Sequence, residues 1–144
     1  MANLHFACSL AQPGAFMHRL GRRFFFKFYQ IILNHPTSVV MCADAERDGI
    51  VGLVSATLDA KSDFEAIRKG RFQLFWAALP ALIRKPSLLW AVYIRNKSLS
   101  PKVLGEGFCV GSGARVAYWG WLPDYPSKGK SIQLMEEFLR LMEN

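Results

Sequence analysis

The sequence predicts one domain of the mixed α+β class that includes residues 1–144. Three features predict this class. An apolar stripe with helical periodicity covers residues 13–33, two short β-rich runs follow, and the last third of the chain has the pattern of strand, loop and helix. With 144 residues, of which 51% are hydrophobic, the chain is large enough to bury one core and is not typical of a disordered protein.

The first predicted helix runs from Pro13 to Leu33 and ends before His35-Pro36. Its apolar residues recur at steps of three or four: Phe16, Leu20, Phe24, Phe28 and Ile31. A second stripe is basic and contains Arg19, Arg23 and Lys27. This stripe predicts either a solvated face or an edge that meets an anionic ligand. Gly21 costs a helix interior about 1 kcal/mol relative to Ala, so we expect a close contact there.

The two β-rich runs, Ser38 to Ala43 and Ile50 to Leu58, predict an antiparallel hairpin. Asp48-Gly49 is a typical turn signal between such strands. The connecting loop begins at Asp44 and is acidic, which places it at the surface.

Residues 61–96 are predicted to form a helical insertion. A capping-box pattern from Ser62 to Glu65 begins one helix, which stops at Gly70. A second helix runs from Phe72 to about Arg84, where Pro80 should kink or break it, and a third runs from Pro86 to about Asn96. The second and third helices carry the large apolar residues Phe72, Phe75, Trp76, Leu79, Leu88, Leu89, Trp90 and Tyr93. We expect most of them to be core and some to line a substrate pocket.

The most apolar region, Phe72 to Ile94, is interrupted by Arg84-Lys85-Pro86. Its longest uncharged run, Phe72 to Ile83, is shorter than the roughly 20 residues of a membrane-spanning helix. We therefore expect no transmembrane segment and a packed helical pair. The alternative is a helical hairpin that lies on a membrane surface.

Charge and cysteine content narrow the partners and the compartment. The net charge of +7 favours anionic partners, namely nucleotide phosphates, nucleic acid or lipid headgroups. The cysteines at 8, 42 and 109 are widely spaced and match no zinc or disulfide pattern. Met1 to Leu10 lacks the features of a secretory signal. These observations predict a reduced, cytoplasmic protein without a bound metal.

The segment from Ala114 to Leu141 is the candidate functional site. It is predicted to be a strand to Leu122, a loop, and a helix that begins at Ser131. A helix N-terminus carries unpaired N–H groups and a partial positive charge, and a glycine beside it admits a ligand close to the backbone. Lys128 and Lys130 add positive charge, so the junction is suited to a phosphate. Before this segment, Cys109-Val110 is assigned as a short strand and Gly111-Ser112-Gly113 as a turn.

The junction does not match a P-loop. Gly129-Lys130-Ser131 has the end of that motif, but the opening glycine would stand at position 124, which is Asp124. A carboxylate there would oppose a phosphate. P-loop domains also need further strands after the loop, and 13 residues follow Ser131.

The stretch from Trp121 to Ser131 resembles the central motif of the GNAT superfamily of acyltransferases. Trp121, Pro123 and Gly129 match it, whereas Pro126 and Ser131 replace its usual Arg/Gln and its final Gly/Ala. The segment from Leu20 to Phe25 with Tyr29, and Ile50 to Val54 after the acidic turn, resemble earlier elements of the same family. The resemblance covers most of residues 13–142.

This resemblance implies an acyl-CoA N-acyltransferase-like fold, with acetyl-CoA as co-substrate and an amine of a small molecule or peptide as acceptor. It assigns the pantetheine arm to backbone groups of Trp121 and Leu122, beside a bulge in the strand. It assigns the pyrophosphate to the backbone of Ser127, Lys128, Gly129, Lys130 and Ser131.

Three departures leave the catalytic residues unassigned. The family continues past this helix with strands and a tyrosine that protonates the leaving thiolate, whereas this sequence ends at Asn144. The strand from Ala114 to Leu122 contains no acid, and Asp59 is the nearest carboxylate by position, either as a base or as a surface residue. Other titratable candidates are His5, His18 and His35. Pro126 also removes a backbone donor from the loop.

Three classes of function therefore compete. The leading one is an N-acyltransferase, or a remnant that still binds coenzyme A. The second is a non-catalytic interaction module. The third is a basic, aromatic surface for a membrane or for nucleic acid, of which nucleic acid is the less expected. An incomplete sheet would leave an exposed edge, so we also expect a homo-oligomer.

Overall fold

Three strands, β1 (Ser38–Asp44), β2 (Ile50–Thr57) and β3 (Arg115–Trp121), form one antiparallel sheet in the order β1–β2–β3. The structure, a computed structural model, describes residues 1–12, 16–98 and 113–143. Within these ranges six α-helices accompany the sheet: α1 (Ala2–Ala11), α2 (Arg22–Leu33), α3 (Ala60–Lys69), α4 (Arg71–Arg84), α5 (Ser87–Ser98) and α6 (Lys130–Glu143). The predicted mixed α+β class is confirmed.

The predicted hairpin is present as β1 and β2. Val40 lies opposite Ser55, and the register shifts between Ala43 and Asp44. The turn is closed by the amide of Ala45, which donates to the carbonyl of Gly49 at 3.0 Å. Gly49 has φ +73°, a left-handed conformation that favours glycine, so the Asp48-Gly49 signal was correct.

Strand β3 pairs with β2 and leaves its other edge without a strand partner in the described part of the chain. Ser55 lies opposite Tyr118 and Ala56 opposite Val116, so Ala117 is an extra residue that forms a bulge. Nearer the site, Gly52 pairs with Trp121, and a Cβ on Gly52 would lie 2.6 Å from the indole ring. Only glycine lets the Trp121 side chain lie flat against β2.

Helices cover both faces of the sheet, because successive residues of a strand point to opposite sides. Leu53 points to α1 and α2, where it packs in a core with Phe25 and Tyr29. Val54 points the other way and packs with Leu134 and Phe138 of α6. Phe25, Leu53, Val54 and Phe138 are all fully buried. The sheet is therefore the middle layer of three.

The single helix predicted from Pro13 to Leu33 is divided in the structure. A 3-10 turn covers Met17–Leu20, and α2 begins at Arg22; residues 13–15 lie outside the described part. The division falls at Gly21, whose φ of +86° is outside helical geometry. Gly21 is thus the residue before the helix and not an interior residue. Helix α1 was not predicted as an element.

The start of α3 also differs from the prediction. The helix begins at Ala60, because the carboxylate of Asp59 accepts hydrogen bonds from the amides of Lys61 and Ser62 at 3.0 and 3.3 Å. The predicted capping box at Ser62 to Glu65 therefore lies inside the helix. Asp63 is buried and accepts a hydrogen bond from the Ser38 hydroxyl at 2.7 Å.

Pro80 does not break α4, which continues to Arg84 as predicted. Proline removes one internal hydrogen bond, but the helix is held by a buried face that packs against Leu20. That face consists of Leu74, Ala78 and Leu82. Helix α5 follows the Lys85–Pro86 link and is anchored by Leu88, which is fully buried.

The aromatic side chains of the predicted insertion are exposed, which contradicts their assignment to the core. Phe72 is 70% exposed, and Phe75, Trp76, Trp90 and Tyr93 are exposed as well. The smaller aliphatic residues of these helices make the internal contacts instead. The short strand predicted at Cys109-Val110 lies outside the described residues, as do positions 111 and 112 of the predicted turn. No helix in the described ranges is long and apolar enough to cross a bilayer.

Candidate functional site

The end of β3 and the loop after it form a compact turn. The amide of Leu122 donates to the Val51 carbonyl at 2.8 Å, and the carbonyl of Leu122 accepts from the amide of Tyr125 at 3.1 Å. The indole nitrogen of Trp121 donates to the Tyr125 carbonyl at 3.1 Å. These three bonds fix the chain direction after the strand and hold the Trp121 ring in place.

The loop then enters α6 through two residues with positive φ. Lys128 has φ +42° and Gly129 has φ +83°. The amide of Lys130 donates to the Ser127 carbonyl at 2.7 Å, and the Gly129 carbonyl accepts from Ile132 and Gln133. Within the described residues, the structure gives no hydrogen-bond acceptor to the amides of Lys128, Gly129 and Ser131. Three N–H donors and two exposed lysines, at 128 and 130, are thus available at the start of α6.

A cleft of about 640 Å³ lies next to this loop, between α6 and the β1–β2 turn. Two of the predicted site residues, Trp121 and Lys130, line it together with Tyr125. The predicted pyrophosphate loop and the cleft are therefore neighbours.

Trp121 and Leu122, which the resemblance assigned to the pantetheine arm, already use backbone groups in hydrogen bonds within the protein. Both backbone groups of Leu122 are engaged within the protein, as described above, and its side chain packs against the core. The Trp121 carbonyl accepts a hydrogen bond from the Cys8 thiol at 3.1 Å. Of the residues predicted to bind the cofactor, Lys128, Gly129 and Ser131 are the ones shown above to have free backbone donors.

The wall of the cleft opposite α6 is formed by the acidic β1–β2 loop, which the sequence did not place at the candidate site. Asp44, Glu46 and Asp48 of the β1–β2 turn line the cleft, and Glu137 lines it from α6. The α6 wall of the cleft could have been found from the sequence. Its lining residues Lys130, Gln133, Leu134 and Glu137 have the helical spacing of one face. Arg47 and Lys130 are the cations among the lining residues, against four carboxylates. Such a cleft favours a cationic group.

The titratable residues named from the sequence lie away from the cleft. Asp59 caps α3. His35 lies 2.8 Å from the Thr37 hydroxyl and 3.4 Å from the Asp63 carboxylate, where it connects the end of α2 to α3. The Nδ1 atom of His18 is buried without a hydrogen-bond partner among the described residues. None of these residues is among those that line the cleft.

His5 belongs to a buried group on the α1 side of the sheet. Its Nδ1 is 2.8 Å from the Tyr29 hydroxyl, and its ring stacks on Tyr118 at 3.5 Å between centroids. Burial lowers the pKa of His5 to about 4 and raises the pKa values of Tyr29 and Tyr118 above their usual range. Burial also raises the pKa of the Cys8 thiol. All four groups are therefore neutral at pH 7, which suits a core.

In the described part of the chain, no three His, Cys, Asp or Glu side chains are arranged to hold a metal ion. Cys8 and Cys42 are free thiols, one buried and one half-buried. No family model, no curated protein and no solved structure matches this chain.

Proposed function

We propose that this chain is an acyl-CoA-dependent N-acyltransferase that transfers an acetyl group to an amine, or a remnant of one that binds coenzyme A. One observation carries the proposal. The loop before α6 presents three unpaired amides, of Lys128, Gly129 and Ser131, beside two exposed lysines. Its position after β3 agrees with the resemblance of Trp121 to Ser131 to the GNAT motif.

The physical case is one of charge and access. A pyrophosphate carries negative charge and many acceptor oxygens, and the positive end of a helix dipole with free N–H groups stabilises it. Gly129, with φ +83°, has no side chain between the ligand and these donors, and a Cβ there would meet no atom within 4 Å. The space above the loop is therefore open to a ligand.

The neighbouring cleft is the proposed site of the acceptor amine. Its four carboxylates would attract a protonated amine from a small molecule or a peptide, and one of them would accept the proton that the amine must lose before attack. Glu137 is two helical turns from Lys130 on the same face of α6, so an amine held there would lie near the end of a cofactor bound at the loop.

The pantetheine arm is not assigned to Leu122, since the backbone of that residue is already bonded. The proposal rests on the loop and on the cleft. It leaves the acid that protonates the departing thiolate unassigned.

Calorimetric titration with acetyl-CoA tests the binding half. We expect saturable binding, and protection from hydrogen exchange at the amides of Ser127 to Ser131. The double variant Lys128→Gln/Lys130→Gln should weaken binding by about tenfold, at roughly 0.5 to 1 kcal/mol per exposed charge. Lys61→Gln, which removes an exposed lysine on α3, is the matched control and should bind as the parent does. Absence of heat and of protection would remove the proposal.

Transfer is tested separately, by incubation of the protein with labelled acetyl-CoA and a panel of diamines and lysine peptides. Labelled product that disappears in Glu137→Gln, with acetyl-CoA binding retained, supports catalysis in the cleft. Binding without product identifies a remnant or a non-catalytic module.

A further inference from the structure

Nine of the twenty large hydrophobic side chains that are exposed in the described part of the chain belong to α4 and α5. Phe72 is 70% exposed, Ile83 71% and Trp90 66%. The same two helices also expose Phe75, Trp76, Leu89, Val92, Tyr93 and Ile94. The ring of Trp90 stacks on that of Tyr93 at 5.5 Å, which gives α5 a flat aromatic surface. Clusters of exposed apolar side chains on this scale mark a contact with another molecule.

On α4 these residues form a stripe that is separate from the core face. The exposed stripe consists of Phe72, Phe75, Trp76 and Ile83. At 100° per residue they lie within an arc of about 100°. The buried face, which contains Ala78 and Leu82, lies beside that arc and packs against Leu20 and Phe24. Helix α4 therefore has two apolar faces and uses one of them inside the protein.

The charge around this stripe has a single sign. Residues 66–94 contain five cationic side chains and no Asp or Glu: Arg68, Lys69, Arg71, Arg84 and Lys85. Arg71 and Arg84 stand at the two ends of α4. The ion pairs of the described residues, His35–Asp63 and Glu137–Arg140, involve none of the cations of α2, α3 and α4. The surface therefore attracts anions.

A groove of about 810 Å³ between α2 and α4 is lined by both apolar and cationic side chains. Phe26 and Trp76 give it an apolar lining, and Arg23 and Lys27 add two cations; the lining contains no carboxylate. The ammonium of Lys27 donates to the Gln30 side chain at 2.8 Å and keeps two further N–H groups for another acceptor. The basic stripe predicted from the sequence thus borders an apolar groove.

We propose that α4, α5 and the groove form a docking surface for a bilayer that contains anionic lipids. Trp and Tyr are suited to the membrane interface, and the cations would contact the lipid phosphates. Helix α4 has 14 residues, about 21 Å, against the roughly 30 Å of a hydrocarbon core, so the helix lies on the membrane.

Charge and side-chain type select this partner over two others. A second copy of the chain would bring the same cations face to face. Nucleic acid would match the charge, but it would leave aliphatic side chains such as Ile83 and Leu89 without an apolar partner. A lipid bilayer matches both the positive charge and the apolar side chains, because it presents phosphates above acyl chains.

The test is sedimentation of the full chain with phosphatidylcholine vesicles, with and without phosphatidylserine at about one lipid in three. We expect binding to the anionic vesicles that weakens as salt is raised. Trp90→Ser should weaken it about tenfold, through lost apolar burial. Arg84→Gln should weaken it about fivefold, since each cation near a bilayer surface contributes about that factor.

Matched controls lie on β3, away from these helices. Trp119→Ser removes another exposed tryptophan and Arg115→Gln another exposed arginine, and both should bind like the parent. Circular dichroism melting checks that all four variants fold. Equal losses in the controls, no binding to anionic vesicles, or tighter binding to DNA than to vesicles would each overturn the proposal. A dimer in light scattering that Trp90→Ser dissociates would assign the surface to a second copy instead.

Discussion

The sheet with its covering helices buries its large apolar side chains, whereas the α4–α5 pair exposes many of them. In the first region both faces of the sheet are covered, and Phe25 and Phe138 are fully buried. In the second, large aromatic side chains face solvent, and Leu88 is fully buried among the described side chains of α5. The charges also differ, since the cleft beside α6 is acidic and the α4–α5 pair carries no acid. Stability and surface contact therefore depend on different parts of the molecule.

The largest expected effect compares one phenylalanine from each region. Phe138→Ala removes a fully buried ring that packs on Val54, and should lower the free energy of unfolding by about 3–5 kcal/mol. Phe72→Ala removes a ring that is 70% exposed and should change it by less than about 0.5 kcal/mol. Urea unfolding measures both. A cost for Phe72→Ala near that of Phe138→Ala would show that the α4 stripe is internal and would end the comparison.

The second effect is a pH dependence that belongs to the sheet region. The pKa of folded His5 is about 4, below the ordinary value of 6.5, so the unfolded chain binds the proton more readily. Its contribution to stability is complete above pH 6.5 and is lost as the pH falls through 4. The slope between these values has a limit of about 1.4 kcal/mol per pH unit for one proton.

His5→Gln provides the control, since it can keep a hydrogen bond to the Tyr29 hydroxyl without titrating near neutral pH. The difference in unfolding free energy between parent and variant should therefore change between pH 6.5 and 4. Parallel curves for the two proteins would show that His5 is accessible to protons in the folded state.

The smallest effect concerns α3, which links the sheet to α4. Asp59→Ala removes the cap of this helix and should cost about 1 kcal/mol in unfolding free energy. Glu65→Ala, at the position that the sequence pattern assigned to a capping box, changes an exposed side chain and should cost less than about 0.5 kcal/mol. The reverse order would place the start of α3 at Ser62.

Local patterns predicted the elements of the candidate site well. The Asp48-Gly49 turn, the hairpin and the β3–loop–α6 order follow from β-rich runs, a turn signal and a helical period. Helix α6 begins at Lys130, one residue before the predicted start. These features depend on neighbours in the sequence. The acidic wall of the cleft does not, because the β1–β2 turn and α6 are about 90 residues apart and meet only through the fold. The coenzyme A site and the oligomeric state remain predictions.

By itself, the sequence determined the α+β class, the hairpin, the ends of α4 and the excess of positive charge. The tertiary structure decided which apolar residues are internal. Helical spacing gives α4 two apolar stripes, and a periodicity cannot say which of them meets α2. The smaller side chains, Ala78 and Leu82, allow the close approach of the two helices, and the bulky aromatic residues remain outside. The structure also decided that α2 begins after Gly21 and that Asp59 caps α3, because apolar spacing does not specify backbone dihedral angles or side-chain hydrogen bonds.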